Sequence, residues 1–489
     1  MAAASAHPDV DSFYHLDDAE LGTSLCQGTA CFAASHLNPE RWARAVASTP
    51  RVHCLGKCYA APAWGGETRR PRLTVTSSRP VVLERIIDGG AHTLDEYRRL
   101  GGLGGLRTAL GLSSSEVVTE VESSGLRGRG GAGFPTAAKW RVAASQPSAE
   151  RFLVANLDEG DPGAFGDRFI AEDDPFCLLE GMMIAAYGIG ARRGWIYVRK
   201  EYPAAVQSLR RSVVAARDAG LLGPPIFGSD FCFDIEVVEG RGGYVCGEET
   251  SLLNSIAGVR PVVLPRPPYV AERGLCGMPT VVNNVETLAA VPWILRNGGP
   301  AYAGMGFSKS RGTKLLSLGS MFREPGLYEV EFGVSLRHVV DDLGGGLRGG
   351  TLMALLVGGP IAGLVPPSLL DCPLGFEEMQ KIGASVGHGG VVAFDEHTSI
   401  AALVHHVFSF AAFESCGRCV PCRLGTRRIE QIFAQVKAGN LAGTDEQAEF
   451  AGIVEALTSA SMCAFGSGLA EFAGSVLRHY PGEFRACFA

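Results

Sequence analysis

Three cysteines spaced two residues apart, Cys416, Cys419 and Cys422 in ESCGRCVPCR, can bring three thiolates to one point from a single tight loop. A fourth, Cys463 in SMCAFG, follows after 40 intervening residues, beyond a stretch with helical patterning. Four soft sulfur ligands, three from one loop and one from a distant turn, suit a cubane [4Fe-4S] cluster. Structural zinc, the rival, usually takes its ligands as two separated pairs. A second group lies near the N-terminus, Cys26 and Cys31 in CQGTAC and Cys54 and Cys58 in CLGKCYAAP, each pair beside glycine. These two pairs could hold a [2Fe-2S] cluster or zinc, or stay free thiols. The other six of the fourteen cysteines (Cys177, Cys232, Cys246, Cys276, Cys372, Cys487) are isolated and read mostly as small buried hydrophobes.

Two glycine-rich loops carry a different chemistry. Gly128, Gly130 and Gly133 in LRGRGGAGFPTAAKW satisfy Gly-x-Gly-x-x-Gly, but a helix rather than a strand is expected ahead of them, unlike the standard dinucleotide fingerprint. Without side chains, the backbone amides can approach a phosphate or a flat ring. Pro135 then starts a helix whose N-terminus favours anions, with Lys139 one turn inside. The bland alternative is a flexible turn. The second loop, RGGYVCGEETSLLNSI, sets Tyr244, Glu248 and Glu249 where a strand becomes a helix. Between them, the strand-like FLVAN runs into LDEGDPGAFGDR, placing Asn156, Asp158, Glu159 and Asp161 at a strand's carboxyl end, where open α/β sheets bind ligands. A solvated acidic loop would look similar. PTVVNNVETLA puts Asn283 and Asn284 just before a helix.

The elements that must position these residues follow from periodicity. Ser113 to Glu116 caps a helix with Val117, Val118 and Val121 on its apolar face, ending at Gly125. The helix FCLLEGMMIAAYGIG, strand GWIYVRKEY, amphipathic helix YPAAVQSLRRSVVAARDAGLLG and strand FDIEVVEG continue a βα alternation. Between Thr68 and Ile87, short β-type runs broken by Pro71 and Pro80 mark a boundary. After Gly312 come short strands, a Pro325-Gly326 turn and a helix, with GHGGVVAFDE (387–396) as one more strand. From Thr398 onward helical periodicity dominates, and a bundle presenting the thiolates is the simplest architecture. His405 and His406 lie on an apolar helix and read as packed or surface histidines.

Composition sets the bounds. The 489 residues allow two to four domains, and 19% charged with 46% hydrophobic residues indicates a mostly globular chain. A net charge of -7 gives no global attraction to nucleic acid or anionic membrane. MAAASAHPDVDSFYHLDD lacks a basic, then apolar, leader, and no run of 18 apolar residues occurs, so neither a signal peptide nor a membrane span is expected. Cysteine-rich but unexported, the chain is expected to be cytoplasmic, with thiols serving metal rather than disulfides.

GRGGAGFPT, NxDEGDPG, GGYVCGEETSLL, RPPY, PTVVNNVETLA and ESCGRCVPCR occur in the order that typifies the flavin-bearing subunit of complex I-like NADH dehydrogenases, which this chain resembles over roughly residues 90 to 480. The same subunit type serves NAD-dependent formate dehydrogenases and NAD-reducing hydrogenases. The resemblance implies an α/β fold: an FMN-binding Rossmann-like domain (81–310), a ubiquitin-like β-grasp insert (311–398) and a C-terminal helical [4Fe-4S] bundle (399–489). Ahead of them residues 1–80 resemble a shortened thioredoxin-like [2Fe-2S] module. Both pair spacings and Ala61-Pro62 match it, but the 22 residues between the pairs are fewer than that module has, leaving open whether it holds a cluster. FMN would lie among Gly128, Gly130, Gly133, Lys139, Asn156, Asp158, Tyr244, Glu248, Asn283 and Asn284. NADH would enter beside Phe134, Glu159, Asp161, Glu249, Arg266 and Tyr269, with Lys139 stabilising negative charge and Glu159 and Asp161 orienting the nicotinamide.

The sequence departs from the family pattern in four places: Asp161 replaces a usual Glu, Arg266 a Lys, Tyr269 a Phe, and Val142 a frequent aromatic. Losing a stacking ring at Val142 lowers expected adenine binding by roughly a kcal/mol. The implied activity is a diaphorase that exchanges a hydride with NAD(H) at FMN and passes single electrons to the [4Fe-4S] cluster. The implied partners are a separate thioredoxin-like subunit holding [2Fe-2S] and a large catalytic subunit, the latter of formate dehydrogenase type first, hydrogenase type second and complex I third. A colourless, non-catalytic zinc scaffold is the reading from another class.

Overall fold

The computed structural model describes residues 13–16, 20–48, 50–223 and 225–489. Most of the N-terminal stretch that would carry a leader falls outside the described residues. Strands β1 (Arg72–Val75), β2 (Phe152–Leu157), β3 (Arg193–Val198), β4 (Asp234–Glu239) and β5 (Thr280–Asn284) precede a two-residue hairpin, β6 (Gly306–Phe307) and β7 (Ser310–Arg311). They are followed by β8 (Thr313–Leu318), β9 (Gly326–Glu331), β10 (Leu352–Val357), β11 (Leu364–Val365) and β12 (Gly390–Asp395). The longer helices are α1 (Ser114–Ser123), α2 (Thr136–Ser145), α3 (Gly166–Asp173), α4 (Pro175–Ile189), α5 (Pro203–Asp218), α6 (Glu249–Ile256) and α7 (Val285–Asn297). Near the C-terminus come α8 (Ile400–Glu414), α9 (Thr426–Lys437), α10 (Thr444–Ala460) and α11 (Ala464–His479).

Strands β4-β3-β2-β5 form an all-parallel sheet. Along β2 the pleat sends Leu153, Ala155 and Leu157 into the main core and Phe152 and Val154 into a second, smaller one on the other face. A strand buried on both sides reads as a continuous apolar run, as FLVAN does. Helix α4 is apolar nearly all round and buried through its length, so it runs inside the molecule rather than on it. Its lone acid, Glu180, accepts the amides of Leu103 and Leu106 at 2.8 Å and the hydroxyl of Tyr97.

The second sheet is mixed, in the order β1-β9-β8-β12-β10-β11. Here the observed boundary differs from a break at residue 80: β1 pairs in parallel with β9, Arg72 opposite Gly326 through Val75 opposite Glu329. Just beyond, the buried carboxylate of Glu329 accepts the amides of Val81, Val82 and Leu83 at 2.9 to 3.0 Å and the Thr313 hydroxyl. The segment that read as a boundary is sewn to the mixed sheet.

The described residues ahead of β1 do not build the sheet a thioredoxin-like domain would need. They form the short helices Thr29–Ala33 and Pro39–Val46, with isolated bridges such as Leu25 to Trp64 and Cys26 to Val52. Only 22 residues separate the cysteine pairs, and Cys26, Val52 and Leu55 pack into the main core of the chain rather than a core of their own. His406 also packs there as expected, stacked on Phe32 with ring centroids 4.4 Å apart. Of the six isolated cysteines, Cys177, Cys246 and Cys487 are buried, but Cys232 and Cys372 are half-buried and Cys276 is exposed. Among the described residues no helix is long and apolar enough to cross a membrane.

The mixed sheet is joined to helix α7 by a buried ion pair. Lys314 on β8, fully buried, donates to Glu286 in the first turn of α7, and Glu286 also accepts the Leu315 amide at 2.9 Å. Breaking such a pair strands a charge in the interior. Glu286→Ala is expected to cost about 3–5 kcal/mol of stability, read by denaturant unfolding.

Candidate functional site

The carboxyl ends of the parallel strands carry the polar residues singled out in the sequence. In register, Asn156 on β2 lies beside Asn284 on β5. Asn156 donates to the Gly247 carbonyl at 2.8 Å and accepts the Asp158 amide at 2.9 Å, tying the β2 turn to the second glycine loop. Asn283 accepts from the indole of the fully buried Trp140 at 2.8 Å, and Asn284 caps α7 through the Thr287 amide at 3.1 Å. Asn284 also donates to Asp167, which burial pushes up to about 8.

The three acids that follow Asn156 are buried, unlike those of a solvated acidic loop. Asp158 is buried with Oδ2 unpartnered, and burial pushes its carboxyl up to about 8 although Arg199 opposes the shift. Glu159 is spent on structure: it accepts the Asp167 and Arg168 amides at the start of α3 (3.1 and 3.2 Å) and the Tyr202 hydroxyl at 3.1 Å. Asp161 accepts the Tyr244 hydroxyl on one oxygen and meets His388 Nδ1 at 2.6 Å on the other.

The first glycine loop folds back on itself, Gly128 donating to the Phe134 carbonyl at 2.9 Å, while Gly131 bridges to Gly387. A Cβ on Gly130 would come 3.0 Å from Asn284 Cβ, so the loop lies flat over the end of β5 only because it has none. Gly133 holds φ +59, and a side chain there would also strike Phe376. Arg129, 1% exposed, locks the loop from behind, donating to the carbonyls of Thr313, Arg127 and Arg311 and the Tyr302 hydroxyl.

Helix α2 follows, and Lys139 donates to Glu249 at 3.2 Å and the Val282 carbonyl at 3.0 Å. Glu249 and Glu248 are both clamped by Arg266 (2.9 and 3.1 Å), while Glu248 caps α6 through the Thr250 and Ser251 amides. Phe134 and Tyr269 are more than half exposed and Val142 38% exposed, so a ligand lying over the loop would find two free aromatic faces but not a third.

The cysteine loop lies one hydrogen bond away. Glu414, the last residue of α8 and the first of the cysteine motif, is buried and accepts the Tyr244 amide at 2.8 Å. Beyond it Cys422 sits in a π-helical turn, Pro421–Gly425, the kind of irregularity that marks functional sites. Burial pushes its thiol up to about 12, with Cys419, Cys463 and Cys416 near enough to add to the shift. Cys463 opens α11; burial raises it to about 11 while the Phe465 and Gly466 amides pull the other way. Those two amides are oriented to favour a thiolate, which a cluster requires. Four thiols from one turn and one helix start are a donor set for iron and sulfide.

The N-terminal four also converge. Cys26, Cys31, Cys54 and Cys58 are each at most 2% exposed, with Sγ of Cys54 and Cys58 3.3 Å apart and Cys26 interacting with both Cys31 and Cys54. Amides point at the sulfurs: Gly28 to Cys26 (3.3 Å), Gly56 to Cys54 (3.2 Å) and Ala63 to Cys31 (3.3 Å). Among the described residues no group of three or more His, Cys, Asp or Glu closes around a single metal ion.

Sequence reasoning did not single out Arg129, Arg199, Asp167, His388 or Glu414. A histidine between glycines ahead of a strand, and an acid abutting the cysteine triplet, were the available signals for the last two. FMN fits the residues present: a cradle that a Cβ would fill, an orphaned buried carboxyl at Asp158, and polar side chains gathered at the ends of β2 and β5.

With that geometry in view, likeness to known proteins becomes specific. Residues 121–293 match the Nuo51 FMN-binding domain, and 402–487 the NADH-ubiquinone oxidoreductase-F iron-sulfur binding region. The F 2 component of the NADH-quinone oxidoreductase of Rhizobium meliloti is 39% identical over 409 residues, covering 83% of this chain and 97% of its own. The HndC component of the NADP-reducing hydrogenase of Solidesulfovibrio fructosivorans is 43% identical over 333 residues, 68% of each chain. A crystal structure of an H2-reduced NAD+-reducing [NiFe]-hydrogenase superposes with a TM-score of 0.81 at 30% identity, over 98% of this chain and 87% of that one. The chain therefore belongs to the family of FMN- and iron-sulfur-binding components of NADH-quinone oxidoreductases and related hydrogenases, and is an oxidoreductase component.

Asp158 provides a test of the cradle. Its carboxyl is raised in the folded state, so the stability it lends is full below pH 4 and is lost as pH rises towards 8. Asp158→Asn is expected to stabilise the flavin-free chain at pH 8 by about 1–3 kcal/mol, while weakening FMN binding at least tenfold in a fluorescence titration.

Proposed function

We propose that the chain is the nicotinamide-reacting diaphorase component of a multi-subunit enzyme, exchanging a hydride with NAD(H) and delivering single electrons through the C-terminal cluster. When bound, FMN supplies the two-electron to one-electron conversion that links these chemistries. The observation that carries this reading is the direct link between the two sites: Tyr244, beside Asp161 in the cradle, gives its amide to Glu414 at the cluster loop. The names of the relatives, NADH-quinone oxidoreductase and NADP-reducing hydrogenase, support a nicotinamide substrate.

In this reading the chain's own residues position rather than transfer protons. Gly128, Gly130 and Gly133 admit the flavin, Asn156, Asp158, Asn283 and Asn284 face it from the strand ends, and Phe134 and Tyr269 offer faces to the nucleotide. Lys139, Arg266, Glu248 and Glu249 form a charge-balanced rim that can reorganise around phosphate or ribose. Glu159, committed to the start of α3, orients the nicotinamide through its loop rather than through a free carboxylate. The order β9-β8-β12-β10-β11 supports the β-grasp insert, being the arrangement 2-1-5-3-4 by position in that segment.

A formate dehydrogenase remains the first candidate assembly, with a separate [2Fe-2S] subunit and a large catalytic subunit in the cytoplasm. The hydrogenase reading gains one specific support, since the likeness to the NAD+-reducing hydrogenase extends over 98% of this chain. Buried thiols in two pairs, with amides aimed at their sulfurs, favour a [2Fe-2S] cluster there over free thiols.

Cys419→Ala is expected to keep FMN and NADH-to-dye activity and to stop transfer to the physiological partner; loss of dye reduction with the fold intact would refute the division of labour. Cys58→Ser should lower iron by about two atoms per chain while leaving the C-terminal cluster's electron paramagnetic resonance signal in place. Purification of the native complex, assayed with formate and with hydrogen, identifies the large subunit.

A further inference from the structure

His388 lies in the turn Gly387-His388-Gly389, whose two glycines hold φ +50 and +81. Three contacts fix the turn. Gly387 bridges to Gly131 of the first glycine loop, Lys314 donates to the His388 carbonyl at 3.2 Å, and His388 Nδ1 meets Asp161 Oδ2 at 2.6 Å. The other oxygen of Asp161 is held by Tyr244, so the carboxylate cannot turn away. Nδ1 being committed, Nε2 is directed at the cradle: a Cβ on Gly130 would stand 3.5 Å from it. Among the described residues Nε2 has no hydrogen-bond partner.

Burial works against a charge on this ring, but Asp161, with Asp167 and Glu159 behind it, raises His388 to about 9. At neutral pH the imidazole therefore carries two N–H donors, one anchored and one free. The other cations nearby are spent. Lys139 is neutralised by Glu249, Arg129 faces the carbonyls behind the loop, and Lys314 is paired with Glu286.

We propose that His388 is the fixed cationic donor of the FMN cradle, with Asp161 as its positioning partner. A hydride leaving reduced nicotinamide carries two electrons and one proton, so the acceptor gains one negative charge. No bond to His388 forms or breaks; its Nε2–H is already oriented towards that charge, and a preset donor costs no reorganisation. This also gives Asp161 a role distinct from orienting nicotinamide: it is the anchor of the cation.

The inference rests on the FMN reading of the cradle, and the experiment separates the two. Full-length wild type, His388→Gln and Asp161→Asn are reconstituted with FMN, and the flavin midpoint is measured by spectroelectrochemistry with the [4Fe-4S] signal as internal reference. H388Q is expected to keep FMN and iron and to shift the reduction equilibrium at least tenfold towards oxidised flavin, about 30 mV for a two-electron couple. D161N should move it the same way, and the cluster potential should stay put. A wild-type midpoint in flavin-loaded H388Q overturns the proposal. If H388Q releases FMN, D161N decides, and an unshifted midpoint there overturns it equally. A wild type that binds no FMN would instead overturn the cradle reading and this inference with it.

Discussion

Asp161 is the carboxylate on which the separate parts of the molecule meet. It is 5% exposed, and such a charge stays in an interior only when its oxygens are hydrogen-bonded. Its two partners come from far apart in the chain, Tyr244 from the loop after β4 and His388 from the turn before β12. Satisfying one buried acid therefore fixes the second glycine loop and the mixed sheet against the parallel sheet. Tyr244 then passes the constraint on through its amide to Glu414, so the cysteine loop is set by the same contact. The residue that occupies a usual glutamate position is shorter by one methylene, and Gly359 closes over it: a Cβ there would lie 2.8 Å from the Asp161 carboxyl.

The distribution of buried charge follows one logic. Glu180, Glu286 and Glu329 are interior acids, each satisfied by one to three backbone amides together with a hydroxyl or Lys314, and each ties one element to another. Asp158 differs from these three, buried at the carboxyl end of the parallel sheet with an oxygen left without a partner. Unsatisfied polar atoms concentrate where a ligand completes the site, because stability alone would remove them. The two classes of acid look identical as letters in a sequence and are told apart only by their partners.

Much of the architecture was legible. The βα alternation, the capping box at Ser113 and Glu116, the helix opened after Pro135 and the C-terminal bundle all stand where periodicity put them, since each is specified by residues close in sequence. The residues flagged at strand ends do gather at one edge of the parallel sheet. What could not be read was set by contacts between distant segments. The β1 strand takes its meaning from β9, some 250 positions later, and the N-terminal cysteines pack into a shared core instead of a sheet of their own. His388 escaped notice for the same reason: nothing local distinguishes it until Asp161 is placed beside it.

The pairing of β1 with β9, together with the three amides that Val81, Val82 and Leu83 give to Glu329, bears on how such a polypeptide can be cut or joined. A gene split at the composition break near residue 80 would unzip an edge and bare an interior acid, whereas a split just ahead of Arg72 would spare both. Modularity here is dictated by ladder hydrogen bonds, and a fusion joint is best sought upstream of them.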